Sequence, residues 1–329
     1  MNQQGRILVI RGGAIGDFIL TLPAIAALRN AFPAARLELL GYPHIASLAQ
    51  AGGLVDCVKP IEARALAGFF AEGGMLSEEL RRYFASFDVI VSYLYDPDGV
   101  FRRNVGRCST AHFIQCPHRA TDTDRVHATI TYLKPLEQLA IFDPDPIPRL
   151  TIPKMEIDSL IQLGKVKGQP GLEWGNSVAL HPGSGSERKN WPEHKWRDLI
   201  THLLEKTTTR LLIVGGEAEF DRLDRLTKGL PADRAASARS LPLVELAAIL
   251  QNTKAFVGHD SGITHLASAL GIPCIVIWAD SNPDVWRPPA PNATIIHEKA
   301  GIHAVPVDRV WTALLQYLDD GVSSSHGSN

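Results

Sequence analysis

The stretch Arg6-Ile7-Leu8-Val9-Ile10-Arg11-Gly12-Gly13-Ala14-Ile15-Gly16-Asp17 decides how the rest of the chain is read. A short apolar run, a glycine-bearing turn and then apolar residues at helical spacing over Asp17–Ala31 predict strand, tight loop and helix. Glycines in such a loop let backbone N–H groups approach an anion at the helix start. A nicotinamide dinucleotide fits poorly. The spacing is Gly-Gly-x-x-Gly rather than Gly-x-Gly-x-x-Gly, and the second apolar run ends in Gly41-Tyr42, with no acidic residue to take a ribose hydroxyl. Asp17 has two readings: a cap for the helix, or a carboxylate on a rigid loop aimed into a cleft between domains.

Outward from this stretch the same rhythm recurs. Arg36–Leu40 and Asp88–Ser92 are the next predicted strands, and strands alternating with helices argue for parallel sheets covered on both faces. The pattern thins from about Asp143 to Gly175, a Pro-, Gly- and Lys-rich span with a short helix expected near Met155–Leu163. It restarts with strands at Ser177–Leu180, Arg210–Val214, Ala255–Val257, Cys274–Trp278 and Thr294–His297. Helices are expected at Glu193–Lys206, Ala218–Gly229, Leu243–Gln251, Ile263–Leu270 and Val307–Leu318. The expected architecture is α/β: two doubly wound domains, 1–155 and 156–322, with a disordered polar tail at 323–329. In open sheets of this kind ligands bind beyond the carboxyl ends of the strands, so the loops after them carry the chemistry.

Two loops of the second domain have distinctive chemistry. His181-Pro182-Gly183-Ser184-Gly185-Ser186-Glu187-Arg188-Lys189-Asn190-Trp191-Pro192 sets glycines and hydroxyls beside cations just before a helix. That suits a diphosphate, with Lys189 as a compact ammonium, although Ser, Gly and Pro also fill plain polar loops. Gly258-His259-Asp260-Ser261-Gly262-Ile263-Thr264-His265 follows another strand. Asp260 and Ser261 are helix-cap candidates, and Ser261 lies outside any Gly-x-Ser-x-Gly elbow, so a Ser-His-Asp hydrolase is disfavoured.

Composition narrows the function classes. The chain has 329 residues, 45% apolar and 21% charged, enough for about two cored domains. Lys and Arg total 33 against 35 Asp and Glu, so the broad basic footprint of a duplex-binding protein is missing and no nucleic-acid partner is expected. Cys57, Cys108, Cys116 and Cys274 form no Cys-x-x-Cys pair, consistent with a reducing compartment. Apolar runs such as Ile272–Ala279 fall well short of the roughly 18 residues of a spanning helix, and Ile7–Ile10 does not read as a signal peptide. The expected setting is the cytoplasm, with peripheral contact at the inner face of the inner membrane a separate question.

Between Asp96 and His127 the chain gathers Arg102, Arg103, Arg107, Arg119 and Arg125 with His112, His118 and His127, interleaved with Asp. The segment suits an anionic acceptor, such as a phosphorylated or acidic sugar on a lipid; a solvated loop with local ion pairs accounts for the charge equally well. Cys108, His112, Cys116 and His118 match no common structural-zinc spacing.

Taken together these loops resemble glycosyltransferase family 9, the ADP-heptose:lipopolysaccharide heptosyltransferases, over most of the chain. The residues that carry the resemblance are Gly16-Asp17-Phe18-Ile19-Leu20-Thr21-Leu22-Pro23-Ala24, the run from His181 to Pro192, and Asp260 through Gly271. The resemblance implies a GT-B fold, two Rossmann-like domains facing across a cleft, with the sugar nucleotide mainly on the second. It implies Asp17 as general base, and Ser184 and Lys189 near the donor diphosphate and sugar. Asp260 would contact the donor sugar, with Ser261 and Gly262 beside the phosphates. Glu219 resembles a nucleoside contact, with Glu217 a competitor, and Leu241 an apolar contact to the base. Gly13, Gly185 and His265 are grouped with the donor contacts, and Arg102, Arg103, Arg119 and Arg125 with the acceptor.

Leu20 stands where some members carry His, and many members have a Ser or Thr near Gly13, which bears on donor sugar and acceptor more than on reaction class. The implied activity is inverting transfer of a heptose or similar sugar from an ADP-sugar to a lipopolysaccharide-core-like acceptor. No Asp-x-Asp pair near the donor loop offers a magnesium site, so no cofactor beyond the donor is expected. The alternatives are a sugar-nucleotide epimerase or other sugar-nucleotide enzyme on the same scaffold, and a non-catalytic binder.

Overall fold

The computed structural model describes residues 4–172 and 174–318. The tail expected at 323–329 lies outside the described residues. The chain divides into two compact units: one runs to Thr151 and includes Asp284–Trp286, the other holds Ile152–Pro283 and the chain from Arg287 onward. Each is an α/β unit.

In the first unit the strands β1 (Arg6–Arg11), β2 (Arg36–Gly41), β3 (Cys57–Pro60), β4 (Val89–Ser92) and β5 (His112–Gln115) form one parallel sheet ordered β3-β2-β1-β4-β5. Leu8, Val9 and Ile10 of β1 are buried together, the signature of a central strand covered on both faces. The first helix spans Ile15–Ala31 and is apolar nearly all round, so it buries Phe18, Ile19, Leu20, Leu22 and Ile25 despite the internal Pro23. It begins two residues before the start expected at Asp17. The edge strands β3 and β5 were not expected, because Cys57-Val58-Lys59-Pro60 and His112-Phe113-Ile114-Gln115 are half polar and carry no continuous apolar run.

In the second unit β6 (Val166–Lys167), β7 (Ser177–Leu180), β8 (Arg210–Gly215), β9 (Ala235–Arg239), β10 (Ala255–His259), β11 (Cys274–Trp278) and β12 (Ala293–His297) make a sheet ordered β12-β11-β10-β7-β8-β9-β6. All neighbours are parallel except β6 with β9. β9 escapes sequence reading because Ala235-Ala236-Ser237-Ala238-Arg239 has no large apolar side chain. β10 runs two residues further than expected and so ends on His259, while the last helix, Val307–Leu315, stops short of Leu318.

The core of this unit is built around Trp196 on the helix Glu193–Lys206, with Trp191 meeting it edge to face at 5.4 Å. Trp191 also donates its indole N–H to the Val305 carbonyl (3.0 Å). The loop after β7 is thereby anchored in packed hydrophobic side chains. Among the described residues no helix is long and apolar enough to cross a membrane.

Candidate active site

Both sheets reverse their strand order at one point, between β1 and β4 in the first and between β7 and β10 in the second. Ligands of open α/β sheets bind at such switch points, and the site residues gather there.

In the first unit a cavity of about 580 Å³ lies at the carboxyl ends of all five strands, lined by Arg11 at the end of β1, Gly13 and Asp17 after it, Tyr95 after β4, and His118 and Arg119 after β5 among others. Asp17 is the third residue of its helix. The N-cap position is Ala14, which supplies no side-chain hydrogen bond, so the cap reading of Asp17 is corrected: the carboxylate lines the cavity. Gly13 has φ +99°, a left-handed backbone that favours glycine, and an added Cβ there would stand 3.7 Å from the Asp17 carboxylate.

The Asp17 backbone carbonyl is held twice. Thr21 Oγ1 donates to it at 2.7 Å and the Arg11 guanidinium at 3.0 Å. Arg11 is itself buried (2% exposed), donates to the His118 carbonyl at 2.5 Å and lies against the rings of Tyr132 (4.9 Å) and Tyr93 (5.7 Å). The sequence reading did not select it. A charged residue at the end of an apolar strand was the available signal.

The arginine-rich segment does not form one patch. Arg119 lines the cavity, but Arg102, Arg103 and Arg125 are not among its lining residues. Arg103 donates to the Asp98 carbonyl (2.5 Å) and pairs with Glu72 (3.7 Å), Arg102 lies over the Phe113 ring, and Arg125 is exposed. Asp96 caps the helix Val100–Gly106, accepting from the N–H groups of Phe101 and Arg102. Burial pushes the Cys116 thiol up to about 12, the opposite of a metal-bound thiolate. Among the described residues no group of three or more His, Cys, Asp or Glu is arranged to hold a metal ion.

In the second unit the loops after β7 and β10 are cross-tied. Lys189 Nζ stands 2.5 Å from Asp260 Oδ2, which also accepts from the Ser281 hydroxyl beyond β11. Asp260 is therefore a partner of Lys189 and not a helix cap. Ser261 takes the capping role for the helix Gly262–Ala269, its Oγ accepting from Thr264 N–H at 3.4 Å. Half-buried Gly262 opens that helix, and His265 is buried on its first turn.

Ser184 Oγ bonds Asn190 Oδ1 (2.7 Å) and the Ser186 carbonyl (2.9 Å) within its own loop, and Gly185 has φ +69° with open space around it. Glu219 accepts from Gly216 N–H (2.8 Å) and packs on the β7 loop so closely that a Cβ at Gly183 would fall 2.1 Å from its Cγ. Glu217 is exposed, and Leu241 is half-buried just past β9. Arg222, unselected from sequence, donates to the Pro182 carbonyl (2.9 Å) and pairs with Glu187 (2.7 Å).

Two buried histidines complete this site. Burial lowers His181 to about 4 and His259 to about 3, so both are neutral near pH 7. His181 Nδ1 lies 3.5 Å from Ser261 Oγ. With Asp260 committed to Lys189, no Ser-His-Asp relay is assembled.

Two Rossmann-like units with glycine- and charge-bearing loops at their switch points are the architecture of the GT-B fold. Residues 154–306 match the family model for glycosyltransferase family 9 (heptosyltransferase). Over 106 residues the chain is 37% identical to lipopolysaccharide heptosyltransferase 1 of Pseudomonas aeruginosa, a match covering 32% of this chain and 29% of that protein. Over 296 residues it is 23% identical to lipopolysaccharide heptosyltransferase 1 of Escherichia coli, covering 84% and 89%. The solved structure of the E. coli heptosyltransferase WaaC with ADP matches with a TM-score of 0.68 at 18% identity, over 95% of this chain and 99% of that one. The second unit thus carries the match to glycosyltransferase family 9, and the fold is shared with a heptosyltransferase structure along nearly the whole chain.

Proposed function

We propose that the protein transfers a heptose from ADP-heptose, with inversion, to an acidic sugar of a lipopolysaccharide-core-like glycolipid. The observation that carries this reading is the pairing of Lys189 with Asp260 at one switch point, in the unit that matches family 9, while Asp17 lines a cavity at the switch point of the other unit. The similarity to lipopolysaccharide heptosyltransferases, one of them solved with ADP, supports the donor and acceptor classes.

In the proposed reaction the acceptor hydroxyl oxygen forms a bond to the anomeric carbon while its proton passes to the Asp17 carboxylate. The bond from the anomeric carbon to the diphosphate oxygen breaks on the opposite face, and its electron pair leaves with ADP. Lys189 would exchange its Asp260 partner for the diphosphate, joined by the first-turn N–H groups of the Gly262–Ala269 helix. Asp260, freed of the ammonium, would accept from a donor-sugar hydroxyl. Glu219 and Leu241 are assigned to the nucleoside, and Ser184, Gly185, Ser261 and His265 to the surroundings of the diphosphate and sugar. Arg119, an exposed cation of the cavity lining, is assigned to an acidic group of the acceptor. No metal or cofactor besides the donor is called for, and a lipid-linked acceptor would be met at the cytoplasmic membrane face.

Titration calorimetry against ADP-, UDP-, GDP- and dTDP-sugars tests the reading: preference for the ADP-sugar is expected. Binding of NAD with no sugar nucleotide bound would discard it.

A further inference from the structure

His259 ends β10 and is fully buried (0% exposed), yet each of its ring nitrogens is engaged by a different end of the β7 loop. Nε2 accepts from the Trp191 backbone N–H at 2.9 Å, and Nδ1 faces the Gly183 carbonyl at 3.2 Å. A carbonyl only accepts, so Nδ1 carries the proton and the imidazole is the neutral Nδ1–H tautomer. Trp196 meets the ring edge to face at 5.4 Å, which fixes its plane. Between the two bonded points lie Ser184, Gly185 and Lys189, and the residue after His259 is Asp260, the partner of Lys189. One side chain thus joins both ends of the β7 loop to the strand that presents Asp260.

We propose that His259 is a positioning residue for the donor diphosphate: by bridging Gly183 and Trp191 it holds the β7 loop in the shape that sets Lys189 and Ser184 for binding. The proposal rests on the donor-site reading of this loop. A core histidine with no such role would affect folding alone. A positioning histidine affects donor affinity at constant fold, in proportion to the bonds kept. Gln can present an acceptor to Trp191 N–H, and Asn a donor to the Gly183 carbonyl, so each retains one bond; Leu retains neither.

The test uses the full chain with ADP as probe, read by calorimetry, alongside hydrogen exchange over residues 181–191. His259→Leu is expected to raise the Kd for ADP about tenfold or more and to accelerate exchange in the loop, with His259→Gln and His259→Asn intermediate. Leu203→Ala, a core change on the helix Glu193–Lys206, serves as a stability control that lowers Tm and leaves Kd unchanged. Wild-type affinity in His259→Leu, or an equal rise in Kd in the control, overturns the proposal. Should the Leu variant fail to fold, unaltered Kd in both the Gln and Asn variants overturns it. A wild-type protein that binds no ADP rejects the donor reading instead. Exchange in the loop separates the two, since unaltered protection in the His259 variants rejects the bridge itself.

Discussion

The two units carry the same kind of sheet and use its switch point in opposite ways. In the first, the loops surround an open cavity, and buried Arg11 ties the end of β1 to the Asp17 and His118 carbonyls from behind while the Asp17 carboxylate lines the cavity. In the second, the loops are tied to one another by Lys189–Asp260, by Arg222 and by the His259 bridge. A small, shaped set of contacts suits a ligand whose chemistry is constant, such as a diphosphate. An open cavity lined by the carboxylates of Asp17 and Glu62, with Arg119 exposed at it, suits an acceptor that must enter with its reacting hydroxyl free. The difference teaches that one topology can hold a preset binding loop and a receiving chamber, according to whether polar side chains are spent on each other.

The sharpest way to break this contrast is at Asp17. Asp17→Asn keeps size and backbone contacts, so turnover should fall about 10²-fold or more while donor affinity holds, read by steady-state kinetics and calorimetry. Wild-type turnover would remove Asp17 from the base role. Next in size, Lys189→Ala should weaken ADP binding about tenfold, the range of a partly exposed charge-assisted contact, and leave acceptor binding untouched. Smaller still, Arg119→Ala should raise the KM for an acidic acceptor by about 2–5-fold with kcat little changed, the scale of an exposed ion pair of up to ~1 kcal/mol. An equal effect on a neutral acceptor analogue would show that charge is not what Arg119 reads.

The smallest effect concerns pH and the second unit alone. His181 and His259 have folded values of about 4 and about 3, below the ordinary histidine value near 6.5. The unfolded chain therefore binds more protons than the folded one between those limits. Stability from the two rings is complete above about pH 6.5 and declines as pH falls toward 3–4. Thermal melts of wild type and His259→Gln from pH 7.5 to 4.5 should show a shallower acid slope in the variant. Parallel slopes would mean that His259 does not titrate with unfolding.

Much of the fold was legible because strands buried on both faces leave continuous apolar runs, as in Leu8–Ile10 and Cys274–Trp278. Strands at or near the sheet edges, β3, β5 and β9, were hidden by polar or small residues that need no deep burial. In the site, Asp17, Lys189 and Asp260 stood out as charges in glycine-bearing loops after strands. That Lys189 and Asp260 would meet, 71 residues apart in sequence, depends on β7 and β10 being neighbours, which no local pattern encodes. His259 does not stand out within its loop, since a buried histidine at a strand end carries no periodic mark. The arginine-rich segment misled for the converse reason: charge density along a sequence does not say which side chains share a face, and of its four acceptor candidates only Arg119 reached the cavity.

The central claim is most directly tested by a single-turnover reaction of the protein with ADP-heptose and a delipidated core acceptor, with the anomeric configuration of the product read by NMR. Acceptor-dependent release of ADP with an inverted linkage is the predicted result. A product with retained configuration, or ADP-heptose consumed at the same rate without acceptor, would contradict it.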